Sequence, residues 1–196
     1  MQTKVLITYT TNAGSTREVA ETVASGLGTN SLVTEVRRME EVQDLSAYGA
    51  VVVGGPMILG WHRGAVNFLK KHQKTLSQVP VAYFFTAISL TRTWDTHLDG
   101  VPIYLDPGLG KCPQKSKQSS FRERYASVEH YLGPVLKQTP QIRPVSAAFF
   151  AGKMDYSRLN LPQMLFARFI VGAQPGDRRN WDAIREWAAS LHEPFA

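Results

Sequence analysis

Apolar runs without alternation constrain this chain more than any other feature. Ala50-Val-Val-Val-Gly-Gly55 is almost wholly β-branched or glycine. Val5-Leu-Ile-Thr-Tyr9 and Pro80-Val-Ala-Tyr-Phe-Phe-Thr86 are similarly apolar. A strand with one wet face alternates apolar and polar residues, so a run that does not alternate needs cover on both faces. Such strands belong to parallel sheets flanked by helices. Ser146-Ala-Ala-Phe-Phe-Ala151 reads as a further strand. Leu32 to Arg38 reads as an edge strand, because it carries Glu35, Arg37 and Arg38. Pro80 stands at the first position of its strand, where no ladder N–H is required.

Helical spacing fills the intervals. Val19, Val23 and Leu27 share one face with Ala20 and Ala24. Ala65, Phe68, Leu69 and His72 do the same over residues 64–72. Tyr125, Val128, Tyr131, Leu132 and Val135 do so over 121–137, and Trp181, Ile184, Trp187, Ala188 and Leu191 recur after a cap at Asn180. There are no internal repeats. Strand and helix alternate throughout, which predicts a single α/β domain over residues 1–196. The expected sheet is doubly wound, five-stranded and parallel, in the order 2-1-3-4-5, with helices on both faces. Long loops are expected at about 92–120, the longest irregular stretch, and at 152–179. Ligands of such a sheet bind at the carboxyl ends of the first and third strands.

The loop after the first strand is Thr10-Thr-Asn-Ala-Gly-Ser-Thr16. A helix start leaves backbone N–H groups unpartnered and is electropositive. Thr10, Thr11, Asn12, Ser15 and Thr16 add side-chain donors, and Gly14 lets an anion approach. With Ala13 these residues form a candidate phosphate cradle. It has no lysine and no Gly-x-x-x-x-Gly-Lys, so it is not a nucleoside-triphosphate loop. Gly-x-Gly-x-x-Gly is absent as well. A donor-rich, uncharged loop suits a monophosphate; the alternative is a plain turn capped by Ser15, and Ser15-x-x-Glu18 has the form of a capping box. The loop after the third strand, Pro56-Met-Ile-Leu-Gly-Trp-His62, is unusually apolar for a loop.

Composition narrows the partners. The chain has 196 residues, 43% hydrophobic, enough for one sizeable core. No run reaches the roughly 18 apolar residues of a membrane span. The chain enters its first strand without a signal-like segment, and Cys112 is the only cysteine, so a cytoplasmic, reducing setting is expected. The net charge of +6 suggests an acidic partner or simple solvation. Lys111, Lys115, Lys117, Arg122 and Arg124 are the densest basic patch, suited to substrate carboxylates, an anionic surface or plain solvent. No aromatic-rich basic motif accompanies it, so no nucleic acid is expected. Leu159 to Val171 is apolar with Arg158 and Arg168, and reads either as an interfacial segment on the inner face of a membrane or as a helix packed on the domain. No Cys/His cluster has metal-ligand spacing. The oligomeric state is left open.

Three segments resemble the flavodoxin-like family at the places where it holds flavin mononucleotide: Thr10 to Thr16, Gly54-Gly-Pro-Met-Ile-Leu-Gly-Trp61, and Thr86-Ala-Ile-Ser-Leu90. Three others are similar to the menaquinone-dependent protoporphyrinogen IX dehydrogenase group: Gly60 to His72, Phe149-Phe-Ala-Gly-Lys-Met-Asp-Tyr156, and Gly176-Asp-Arg-Arg-Asn-Trp-Asp182. Residues 92–120 run longer than in that group, and the acidic excess of carrier flavodoxins is absent. The resemblance implies FMN, with its phosphate on Thr10, Thr11, Asn12, Ala13, Gly14, Ser15 and Thr16. Pro56, Met57, Ile58, Leu59, Gly60 and Trp61 would flank the ring, and Thr86, Ala87, Ile88, Ser89 and Leu90 would meet its edge. It implies an FMN oxidoreductase acting on protoporphyrinogen IX or a similar substrate, with a quinone acceptor. An electron carrier without its own substrate is the alternative. Trp61 is either a ring-stacking residue or a core tryptophan. His62 is either an acid–base group or a helix cap.

Overall fold

The uninterrupted apolar runs become the centre of the sheet. In the computed structural model, which describes residues 2–12, 14–29, 31–57, 60–88, 90, 96–109, 127–155, 157 and 175–196, β1 (Thr3–Tyr9) and β4 (Val81–Ala87) flank β3 (Ala50–Pro56). Every residue of β4 is buried, and all of β3 except Pro56. Neighbouring side chains on a strand point to opposite faces. Val51, Val53, Tyr83 and Phe85 pack on one side with α2 (Arg63–Lys71), α3 (Gln73–Leu76) and α4 (Val128–Gln138). Ala50, Val52, Ala82 and Phe84 pack on the other with α1 (Ser15–Leu27) and α5 (Trp181–Ser190), which α6 (His192–Phe195) extends. Two apolar layers, one per face, are what the absence of alternation requires. Gly54 makes this packing possible: a Cβ there would stand 1.9 Å from the Phe84 ring.

The strand order is β2-β1-β3-β4-β7-β6-β5, with β2 at Leu32–Arg38 and β7 at Ser146–Ala151. The expected 2-1-3-4-5 order is therefore present as β2-β1-β3-β4-β7, all parallel. The count of five is corrected to seven. Beyond β7 lies β6 (Val101–Leu105), parallel to it, and then the two-residue β5 (His97–Leu98), antiparallel to β6. Residues 97–105 thus form a hairpin inside the stretch expected to be irregular. Its turn is Asp99-Gly100, with φ of 50° and 81°, a pair of left-handed residues whose twist suits a two-residue hairpin.

The second long connection also carries structure, since β8 (Lys153–Met154) pairs antiparallel with β9 (Gly176–Asp177). That pairing returns the chain to the carboxyl edge of the sheet just before α5. Ser127 caps α4 by accepting from the His130 N–H at 3.2 Å, and Asn180 caps α5 by accepting from Ala183 at 3.2 Å. The expected helix over 121–137 is seen from Val128; residues 121–126 lie outside the described residues. So do Cys112, the basic patch from Lys111 to Arg124, and Leu159 to Val171. No described helix is long and apolar enough to cross a membrane.

Candidate functional site

Backbone hydrogen bonds join the loops at the carboxyl edge. Thr10 N–H donates to Gly54 O at 3.0 Å, Met57 N–H to Thr86 O at 2.9 Å, and Gly152 N–H to Ala87 O at 2.7 Å. The first and third strands are neighbours, so the Thr10–Thr16 and Pro56–His62 loops meet where the strand order reverses. A side-chain contact reinforces the seam, with Thr10 Oγ1 lying 3.2 Å from His62 Nδ1. The same ring nitrogen accepts from the Gly64 N–H at 3.1 Å and so caps α2. His62 therefore serves as a cap and a tie between two loops, and its Nδ1 is committed as an acceptor.

The start of α1 departs from the expected capping box. Gly14 is the N-cap residue, in a left-handed conformation with φ of 88°, and no side chain caps the helix. Ser15 is already the first helical residue, so its hydroxyl is past the position from which it would reach back to the turn. Glu18 instead pairs with Arg179 at 2.7 Å. Gly14 N–H is taken by Thr11 Oγ1 at 2.8 Å. Thr16 is 1% exposed, and its hydroxyl has no hydrogen-bond partner. A buried hydroxyl without a partner is costly. Here it stands in the first turn of an uncapped, electropositive helix end, where an anion would satisfy it.

Behind this turn sits Arg179, with only 3% of its side chain exposed. Its guanidinium donates to Ser15 O at 3.2 Å, pairs with Glu18 and Asp177, and lies 4.4 Å over the Trp181 ring. The pairing holds the Asp177 carboxyl below the usual carboxylate range. One cation thus binds the segment after β9 to the start of α1 through the Ser15 carbonyl and Glu18. Asp106, 2% exposed, does similar work at the far edge. Its carboxylate accepts from Gly108 N–H at 2.7 Å, Ala151 N–H at 2.9 Å and Asn180 Nδ2 at 3.2 Å. The sequence reading assigned neither residue a role. Arg179 lay inside a segment used only as a family likeness, and Asp106 has no local motif.

The other expected residues divide between cleft and core. Met57 and Trp61 form an antiparallel bridge, and both are nearly inaccessible. The Trp61 ring lies 4.4 Å from Phe85 and 5.3 Å from Tyr83, with its indole N–H donating to Gly55 O at 3.3 Å. These contacts match the core reading of Trp61. Thr86, Ala87 and Leu90 are also buried, while Pro56, Gly60 and Ile88 are partly exposed. Asn12 is exposed, and Thr11, Gly14 and Ser15 are half-buried. Ala13, Ile58, Leu59 and Ser89 lie outside the described residues. Among the described residues no group of three His, Cys, Asp or Glu is placed to hold a metal.

Residues 6–179 match the flavodoxin domain family. The chain belongs to that family. Its fold is similar to that of a flavodoxin from the domain Archaea, with a TM-score of 0.54 at 10% identity over 98% of each chain. It is also similar to a short-chain flavodoxin associated with a non-canonical PDU bacterial microcompartment, with a TM-score of 0.51 at 13% identity over the full length of both. Among curated proteins, it is 38% identical over 85 residues to the protoporphyrinogen IX dehydrogenase [quinone] of Escherichia coli K12, covering 41% of this chain and 46% of that protein. The chain thus spans less than half the length of that relative. The protein of the same name from Leishmania major is 26% identical over 204 residues, covering 96% of this chain and 74% of that protein.

Membership of the flavodoxin family implies FMN, and the residues of the helix start fit its phosphate. The first turn of α1 has no side-chain cap, Gly14 before it is left-handed, and the Thr16 hydroxyl in it has no partner, a donor set without a fixed charge that suits a phosphate. Family and relatives together support an FMN-type oxidoreductase.

Proposed function

We propose that this flavodoxin-family protein oxidises protoporphyrinogen IX or a closely related reduced macrocycle and passes the electrons to a quinone. The names of the two curated relatives support the substrate and acceptor. The observation that carries the flavin part is the buried Thr16 hydroxyl, unpartnered at an uncapped helix start beside the strand-order reversal. FMN, when bound, supplies the redox chemistry. The chain's own residues bind and orient it. The Thr16 and Ser15 hydroxyls, with the first-turn N–H groups of α1, would hold the phosphate. Arg179 fixes that turn from behind through Ser15 O and Glu18. The Thr10–His62 contact ties together the two loops between which the ring would lie. Backbone groups at Gly60, Ala87 and Ile88 are the candidates for the ring's polar edge, and Met57 and Trp61 give those loops a rigid apolar base.

The net charge of +6 supports an enzyme meeting an anionic substrate or surface over a carrier that needs an acidic docking face. Contact with an anionic membrane, where a quinone would be dissolved, is proposed from the basic patch and the Leu159–Val171 segment on sequence alone. The test is anaerobic. FMN-loaded protein is mixed with protoporphyrinogen IX and a soluble menaquinone analogue, and porphyrin fluorescence is followed beside quinone absorbance. Porphyrin forming in proportion to quinone reduced supports the reading. Flavin that is reduced by a chemical donor yet never turns over with the macrocycle refutes it and leaves the carrier.

A further inference from the structure

A groove runs between α2 and α4, starting at Gly60 in the loop after β3. Its volume is about 390 Å³, at the low end of the roughly 300–1,000 Å³ typical of small-molecule sites. The floor is apolar, made by Trp61, Val66, Tyr131 and Val135. Trp61, Tyr131 and Val135 are buried core residues, so the floor is rigid. Arg63 and Lys70 stand along one wall, seven residues apart and therefore on the same face of α2, about 10 Å apart along its axis. Both are exposed, and neither has a carboxylate partner among the described residues. Asn67 lies between them, and Gln138 lines the groove from α4. An apolar floor edged by two cations that have no carboxylate partner among the described residues, without an acid in the lining, is complementary to an apolar body carrying carboxylates.

We propose that this groove docks the carboxylate-bearing edge of the substrate, a macrocyclic dicarboxylate, with Arg63 and Lys70 meeting its carboxylates. The inference rests on the flavin reading above and deepens it. Continuity through Gly60 favours a small molecule over an acidic peptide, because one end of the groove opens at the loop that flanks the ring. The volume accommodates one edge of a macrocycle and leaves the remainder toward that loop. Arg63 and Lys70 are binding and orienting residues here, and among the described residues neither forms a hydrogen bond or ion pair with the Thr10–Thr16 loop.

The experiment titrates FMN-loaded protein with protoporphyrin IX, the stable oxidised diacid, and with its dimethyl ester, in dilute non-ionic detergent. Binding is read from the porphyrin absorbance shift, and flavin content is measured in every sample. Arg63→Gln with Lys70→Gln should weaken diacid binding about tenfold, the sum of two exposed charge contacts, and leave the ester unchanged. Asn67→Asp with Gln138→Glu, which keeps both cations but adds like charge to the ligand's, should also weaken the diacid selectively. Equal diacid binding in wild type and both variants overturns the proposal, as does no diacid binding to wild type. A wild-type protein that retains no FMN but still binds the diacid in a charge-dependent way refutes the flavin reading and supports the groove.

Discussion

Thr16→Val separates a structural hydroxyl from a ligand-binding one, because the two roles give effects of opposite sign. Valine keeps the β-branched shape at a position that is 1% exposed and removes only the unpartnered hydroxyl. Burying a polar group without a partner costs about 1–3 kcal/mol. Without flavin, the variant should therefore be more stable than wild type by about 1 kcal/mol, a rise in Tm of about 2–4 °C for a chain of this size. With flavin, a hydrogen bond to a charged phosphate is lost, worth about 1.5–3 kcal/mol. FMN should bind about 10- to 100-fold more weakly. Urea unfolding of the flavin-free protein gives the first quantity, and flavin fluorescence quenching gives the second. A variant that is less stable without flavin and binds FMN as tightly as wild type would show that the hydroxyl serves the fold, and the cradle assignment would fail.

Gly14→Asp should purify folded but colourless, since the position is left-handed and a carboxylate there would repel the phosphate; stoichiometric flavin in the variant would move the cradle elsewhere. Arg179→Met should destabilise the protein by about 2 kcal/mol, because Glu18 and Asp177 are half-exposed and rehydrate while the stacking and the Ser15 carbonyl bond are lost. A double-mutant cycle with Glu18→Gln should give a coupling of about 1 kcal/mol, and additivity would show that the pair is idle. At the β2 edge, the hydrogen bond from Lys4, with those from Tyr48 and Arg37, holds the Glu35 carboxyl down to about 2 from an ordinary 4.5. A depressed carboxylate stabilises the fold above its unfolded pKa and loses that contribution as pH falls through the folded one. The urea midpoint of wild type should therefore exceed that of Glu35→Gln at pH 6, and the gap should close between about pH 4.5 and 2; a constant gap would mean the network is not electrostatic.

The parts of the fold that announced themselves in sequence are those whose environment is symmetric. Val51 to Val53 and Tyr83 to Phe85 face cores on both sides, so their composition alone demands a central strand. The hairpin at 97–105 has no such signature. β5 is two residues long, and Pro102 interrupts the apolar pattern of β6. Asp99-Gly100 was the available signal, a dipeptide that favours two-residue hairpins. The capping box failed for a different reason. A local motif cannot register a guanidinium 164 residues away, and Arg179 takes both the Glu18 carboxylate and the Ser15 carbonyl. Trp61 was ambiguous because an apolar loop residue has two apolar destinations. Phe85, on the neighbouring strand, supplies the inward one. The helix start after β1 was legible because a strand, a glycine and an amphipathic run mark it, and its use as a phosphate cradle is the proposal that Thr16→Val tests.

The hairpin that enlarges the sheet also determines where the sheet stops. A parallel sheet ends on each side in a row of unpaired backbone groups, which other strands can extend into aggregates. On one side this chain ends at β2, whose Glu35, Arg37 and Arg38 make the edge a poor template. On the other, β5 covers the first two residues of the five-residue β6, and its own two residues leave an incoming strand little backbone to pair with. The Asp99-Gly100 turn sharpens the local twist there. Both rims are thus blunted by different means, one by charge and one by brevity. Among the described residues, self-association by strand addition is disfavoured at either rim.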